Sequence, residues 1–221
     1  MIYVTGDLHG DIDRLKTPEI KKLKKRDTLI VLGDFGFVWD GSKKEQKILK
    51  WLGKRRYDLL FIEGTHDNYQ LLKNYPEEEW CGGRTRLISG RLRWLCRGEV
   101  FEIEGKKIFC FGGGVSADRE ARAEQNTWWP EEAASEADRE RALENLARHG
   151  FEVDHICTHE GPGQLVRFLD LEQNEVDDTE AFLEELSSQV RYRRWLFGAR
   201  HLDRSIGPKA AAVYRRVLPL D

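Results

Sequence analysis

A layered α/β fold built on parallel strands is expected for this chain, on three observations. Ile2 to Val4, Thr28 to Leu32 and Leu59 to Ile62 are short, continuously apolar runs. Continuous rather than alternating character suits strands covered on both faces. Between them lie Lys-rich stretches, 12–26 and 42–56, with apolar residues such as Ile48, Leu49 and Leu52 at helical spacing. That order of strand, helix and strand implies right-handed crossovers. Finally, five short motifs bearing carboxylates or imidazoles stand just past the apolar runs, where ligands gather at the carboxyl ends of strands.

The middle and end of the chain read as follows. Val100 to Glu104 and Lys107 to Phe111, separated by Gly105-Lys106, predict a hairpin, and Gly112-Gly113-Gly114 then permits a tight turn. Residues 131–149 are Ala/Glu/Arg-rich and predict a helix closed by Gly150. Val153 to Cys157 predicts a strand, Glu180 to Leu186 a helix, Arg194 to Phe197 a strand and Ala210 to Leu218 a terminal strand. Glu77-Glu78-Glu79 after Pro76 is expected to begin a helix, and Asp177-Asp178 to cap one ahead of Thr179. With no repeats or linkers, residues 1–221 are expected to form one domain.

Composition narrows the function classes. The chain has 221 residues, a formal charge of −3 and 34% charged residues, a solvated surface without overall bias toward polyanions. The basic run Lys21 to Arg26 reads as the wet face of a helix. Four cysteines, Cys81, Cys96, Cys110 and Cys157, form no C-x-x-C pair, and the last two lie in strand-like runs that suit buried thiols. The chain begins directly with a strand, without a signal-peptide pattern, and no apolar stretch approaches the roughly 20 residues of a membrane span. A cytoplasmic, reduced location is expected, with no membrane partner.

The motifs are Gly6-Asp7-Leu8-His9-Gly10, Gly33-Asp34-Phe35-Gly36, Gly64-Thr65-His66-Asp67-Asn68, Thr158-His159-Glu160-Gly161-Pro162 and Gly198-Ala199-Arg200-His201. Asp7 and His9, two residues apart at a strand end, can grip one ion, and Asp34 has two oxygens with which to bridge a pair. Oxygen and nitrogen ligands without thiolate suit Mn²⁺, Fe or Zn²⁺. Each motif alone is a common turn. Five in order on successive strand ends are the signal.

Together these motifs resemble the calcineurin-like metallophosphoesterase family, whose pattern runs D-x-H, G-D, G-N-H-[DE], a later His, and G-H-x-H. The resemblance extends from Gly6 to about Arg204. The stretch Gly112 to Arg119, with Trp128-Trp129-Pro130-Glu131-Glu132, is similar to a bacterial and phage-associated subgroup. It implies a four-layer α/β/β/α metallophosphoesterase sandwich. By position it also implies that Asp7, His9, Asp34 and His201 hold a first metal. Asp34 would bridge to a second, which His159 helps bind. His66 would protonate the leaving oxygen, with Asp67 accepting its other N–H. The implied cofactor is a divalent metal, Mn first with Fe, Zn or Ni as alternatives, in one or two ions. The implied reaction is hydrolysis of a phosphate mono- or diester by a metal-bound hydroxide, with a nucleotide or nucleic-acid type of diester favoured.

Two positions depart from that pattern. Thr65 replaces the Asn of G-N-H-D, and Ala199 replaces the first His of G-H-x-H; both losses fall on the second metal. Three readings fit. The protein is a hydrolase with one tight metal and a weakened second one, Arg200 supplying some of the missing charge beside the phosphate. It is instead a noncatalytic phosphate- or nucleotide-binding protein. Or Thr65 or Ala199 replaces a native ligand, trapping substrate. Survival of His66 and Asp67 favours the hydrolase. Phe35-Gly36 after Asp34, in place of Asp-Arg-Gly, argues against a phosphoprotein phosphatase. Arg119, with Asp118 and Arg122, either reaches the site mouth as a substrate contact or belongs to an ion-paired helix turn. Trp128 and Trp129 read as a packing anchor rather than a base-stacking platform, and Trp39, Trp51, Trp80, Trp94 and Trp195 as core or rim.

Overall fold

A computed structural model describes residues 1–169 and 176–220. The apolar runs form β1 (Ile2–Thr5), β2 (Thr28–Leu32) and β3 (Asp58–Ile62), with α1 (Pro18–Lys21), α2 (Lys43–Gly53) and α3 (Tyr69–Leu72) beside them. Then come β4 (Glu77–Trp80), β5 (Gly83–Ser89), β6 (Leu92–Leu95), and the hairpin β7 (Glu99–Ile103) and β8 (Lys106–Phe111). The second half adds α4 (Arg119–Glu124), α5 (Glu136–Arg148), β9 (His155–Thr158), α6 (Gly163–Leu169), α7 (Asp178–Gln189), β10 (Arg194–Phe197), β11 (Arg204–Ile206), β12 (Ala210–Ala212) and β13 (Leu218–Pro219).

Two sheets result, in the orders β13-β1-β2-β3-β6-β5-β4 and β11-β12-β10-β9-β8-β7. Parallel pairing joins β1, β2, β3 and β6 in the first sheet, and β8, β9, β10 and β12 in the second. Side-chain alternation then builds three apolar layers. Ile30, Leu32, Leu60 and Ile62 of the first sheet meet Ile108, Cys110, Cys157 and Leu196 of the second in a central layer. Their neighbours Leu29, Val31, Leu59 and Phe61 face the opposite way, onto Leu49 and Leu52 of α2. On the outer face of the second sheet, Phe109, Phe111, Trp195 and Phe197 pack on Leu146 of α5 and Leu183 and Leu186 of α7. Each fully buried side chain of this kind stabilises the fold by about 1.5–3 kcal/mol. The expected α/β/β/α sandwich is the architecture observed.

Several local expectations need correction. Glu77-Glu78-Glu79 does not begin a helix; it is edge strand β4, paired antiparallel with β5 so that Glu77 faces Arg86 and Glu79 faces Arg84. The 12–26 stretch holds only a 3₁₀ turn (Arg14–Lys16) and the single turn of α1. The predicted 131–149 helix is split: a 3₁₀ turn at Pro130–Glu132 precedes α5, which Ser135 and Asp138 start with a reciprocal capping box. The terminal strand divides into β12 and β13. Asp177 does cap a helix, its carboxylate accepting from the N–H groups of Thr179 and Glu180. All four cysteines are free thiols, and only Cys81 is exposed. No helix among the described residues is long and apolar enough to cross a membrane.

One buried group makes stability sensitive to acid. His155 at the start of β9 is 1% exposed, and neither ring nitrogen has a hydrogen-bond partner. Burial, aided by Lys106, depresses its pKa to about 4. Above pH 6.5 the imidazole is neutral whether folded or unfolded, so it adds no pH dependence there. Between about 6.5 and 4 the unfolded chain binds a proton that the native state refuses, and stability falls by up to about 3 kcal/mol. Urea unfolding at pH 7 and pH 4 is expected to show that extra loss in the wild type and its absence in His155→Leu.

Candidate metal centre

The five motifs occupy the carboxyl ends of β1, β2, β3, β9 and β10, and backbone contacts weld the loops together. The N–H groups of Leu8 and His9 both donate to the carbonyl of Asp34, at 3.1 and 2.8 Å. Close approach needs bare backbone: a Cβ on Gly33, which adopts φ +100°, would strike the His159 ring, and one on Gly64 would strike the Asp34 carboxylate. His9, Asp34, Ala199 and His201 all hold φ between 45° and 54°. This left-handed backbone costs non-glycine residues energy and aims their side chains inward.

Asp7, His9, Asp34 and His201 each present one ligand atom, all within 4.8 Å of one another. Nε2 of His9 lies 3.0 Å from Nε2 of His201, which is 3.1 Å from Oδ2 of Asp7. Two ligands set at right angles about 2.1 Å from one ion stand about 3.0 Å apart. Oδ2 of Asp7 is buried yet accepts no hydrogen bond, so it and His201 aim at a common point more than at each other. Two buried carboxylates and two imidazoles with converging lone pairs fit a divalent cation of the Mn, Fe or Zn kind, the set expected for the first metal.

The second position is thinner. Nδ1 of fully buried His159 donates to the carbonyl of Leu32 at 2.9 Å, which leaves Nε2 facing Oδ1 of Asp34 at 3.6 Å. That arrangement orients an imidazole as a ligand. Burial lowers the His159 pKa, but Asp34 and Asp7 outweigh it and raise the value to about 9; a cation on those carboxylates would displace the proton. The Thr65 hydroxyl is 3.0 Å from Nδ1 of His66, and Ala199 brings no donor side chain. Of the two positions that depart from the family pattern, one thus keeps only a hydroxyl already engaged with His66 and the other keeps no donor.

His66 sits at the mouth. Its backbone N–H donates to Oδ1 of Asp34 at 2.7 Å; Nδ1 is 3.2 Å from Oδ2 of Asp34, and Nε2 is 3.2 Å from Oδ2 of Asp118. The contact with Asp34 raises its pKa and outweighs burial. The orienting role expected for Asp67 is not observed. Its buried carboxylate instead accepts from the backbone N–H groups of Phe35, Gly36 and Gly64 at 2.9–3.2 Å, splinting the β2 and β3 loops. Burial and the charge of Asp34 push its pKa up to about 6. The carboxylate that touches the His66 ring from the far side is Asp118, 52 positions away in the chain.

The centre opens into a cleft of about 600 Å³, lined in part by Thr65, His66, Ser116, His159, Glu160 and Arg200. Arg200 is ion-paired: Nη2 bonds Glu160 at 3.1 Å and the fully buried Glu180. Burial raises the Glu160 pKa to about 7, with Arg200 opposing. Glu160 and Glu180 were not expected at the site, although Glu160 directly follows His159. Arg119 is exposed and does not line the cleft. Arg122 is buried against Ser116, Glu132 and the carbonyl of Thr127, so the ion-paired turn is the one observed. Trp129 meets Trp39 edge to face at 5.7 Å, outside the cleft lining.

A family model described as calcineurin-like phosphoesterase matches residues 1–211. The chain belongs to that family. No curated protein matches the sequence. Among solved structures, a Staphylococcus aureus protein described as a 5'-nucleotidase, crystallised with alpha-ketoglutarate, is similar with a TM-score of 0.50 and 17% identity. The match covers 97% of this chain and 48% of that one, so this calcineurin-like phosphoesterase spans about half the length of its structural neighbour. A likeness at that identity speaks for the fold.

Proposed function

We propose that this protein hydrolyses a nucleotide-type phosphodiester with one tightly held divalent cation, manganese being the favoured metal, and a weak second one. The observation that carries the reading is the convergence of Asp7, His9, Asp34 and His201 beside an intact His66. A cation held there supplies Lewis acidity toward a phosphoryl oxygen and lowers the pKa of coordinated water. The chain's own groups do the rest. The carboxylates of Asp7 and Asp34 hold the cation and orient the imidazoles around it. His66, its pKa raised by Asp34, keeps a proton near neutral pH for the leaving oxygen. Arg200 lines the same cleft, and its ion pairs with Glu160 and Glu180 fix it there as the candidate phosphate contact.

Two assays test this. With excess Mn²⁺, the protein is expected to hydrolyse a generic aryl phosphodiester; inactivity across several metals would favour the phosphate-binding module instead, which the losses at Thr65 and Ala199 also allow. Metal analysis is expected to give about one ion per chain, and two in the wild type would refute the single-cation reading. Thr65→Asn combined with Ala199→His is expected to raise the count to about two, because each adds a donor beside His159 and His tolerates the left-handed backbone that Ala199 adopts at φ 54°.

A further inference from the structure

A larger cavity, about 660 Å³, shares no lining residue with the catalytic cleft. It is built on the residues that flank the His66 loop: Glu63 just before Gly64, and Tyr69 just after Asn68. We propose that it is a second binding site, for a planar aromatic anion, and that filling it steadies the catalytic loop.

The volume falls in the range of small-molecule sites. One wall is apolar, from Trp94, Cys96, Pro130, Ala133 and Ala134. The guanidinium of Arg86 lies 5.9 Å from the centroid of the Trp94 ring, a cation beside an aromatic face that suits a flat guest. Charge favours an anion. Among lining cations, Arg97 is matched by Glu63 and Asp138, Lys73 by Glu131 and Arg86 by Glu77. Arg84 gives its Nε to Glu99 and holds Nη1 3.9 Å from Glu77, whereas Arg141, close enough to Asp138 to help lower that carboxyl's pKa, makes no hydrogen bond or ion pair among the described residues. An anionic group near Arg141 would complete the balance.

The link to the catalytic cleft is a buried network. Fully buried Arg97 donates to Oε1 of Glu63 at 2.9 Å, to the Tyr69 hydroxyl at 3.3 Å, and to the carbonyls of Glu131 and Glu132, both at 3.2 Å. The Tyr69 hydroxyl donates in turn to the carbonyl of Gly64 at 2.7 Å. The Glu132 carboxylate accepts from the N–H and hydroxyl of Ser116, which lines the catalytic cleft. One arginine thus ties both walls of the cleft to the wall of the second cavity. A guest packed against it would restrict both.

Anilinonaphthalene sulfonate, a flat aromatic anion that fluoresces on burial, is the probe, used with the metal-free full chain so that the outcome does not depend on catalysis. Saturable binding of one molecule per chain is expected. Arg141→Glu and Ala134→Trp, the second filling the cavity, are each expected to weaken binding at least about tenfold, while Asp34→Asn binds as the wild type does. Amide exchange at residues 64–68 and 113–118 is expected to slow on binding. Absence of saturable binding, indifference to both cavity variants, loss of binding in Asp34→Asn, or unchanged amide exchange would each overturn the proposal.

Discussion

Asp34→Asn is expected to lower hydrolysis of an aryl phosphodiester by roughly 10³-fold or more and to strip the bound cation. Asp34 stands at the middle of the site. Its Oδ2 lies 3.7 Å from His9 and 3.2 Å from His66, and its Oδ1 faces His159 at 3.6 Å. Neighbouring His159 and His66 hold its pKa well below the usual carboxylate range despite burial, so it carries full negative charge at any pH of interest. Asn removes that charge and one ligand from both metal positions while conserving shape. It also tolerates the left-handed backbone at φ 45° and still accepts the His66 N–H through its oxygen. The loss should therefore be one of metal, not of fold. Metal analysis beside a thermal melt of the metal-free proteins checks this: matching melts with a lost ion are expected, whereas a variant retaining wild-type metal would remove Asp34 from the site.

His66→Ala is expected to reduce kcat by about 10²–10⁴-fold with little change in KM or metal content. The imidazole lines the cleft but is absent from the four-residue cation cluster. Its work should thus be proton delivery rather than binding. The deficit should shrink for a nitrophenyl ester, whose leaving oxygen needs little protonation, and grow for an alkyl ester. The pH profile carries the sign. The contact with Asp34 raises the His66 pKa above its ordinary value, so the acid form predominates below that pKa and is lost as pH rises through it. The wild-type rate should fall along that alkaline limb, and the limb should vanish in the variant. An alanine variant with equal losses on both esters would point to a structural part for His66 instead.

Legibility along the chain followed burial on two sides. Thr28 to Leu32 reads as a strand because every residue in it is buried. β5 and β6 are not legible as strands, because Arg84, Arg86 and Arg93 interrupt their apolar residues near one edge of the sheet. There arginine stems cover apolar surface while their charged ends pair with Glu99, Glu77 and Glu78. Glu77 to Glu79 misleads for the same reason: three acids favour a helix start locally, but cross-strand pairing with Arg84 and Arg86 favours the strand.

The candidate site divides along the same line. Asp7, His9, Asp34, His66, His159 and His201 are visible in one dimension because parallel strands deliver their loops to a common edge, so order along the chain already encodes nearness in space. Contacts between loops from different layers carry no such trace. That Asp67 splints backbone amides while Asp118 touches the His66 ring, and that Arg200 is clamped by Glu160 and Glu180, follows from where a glycine-rich turn and a distant helix come to rest. A motif records which chemical groups arrive at an edge. Their partners are chosen by packing and by the need of every buried charge for a counter-charge, and those constraints act only once the chain is folded.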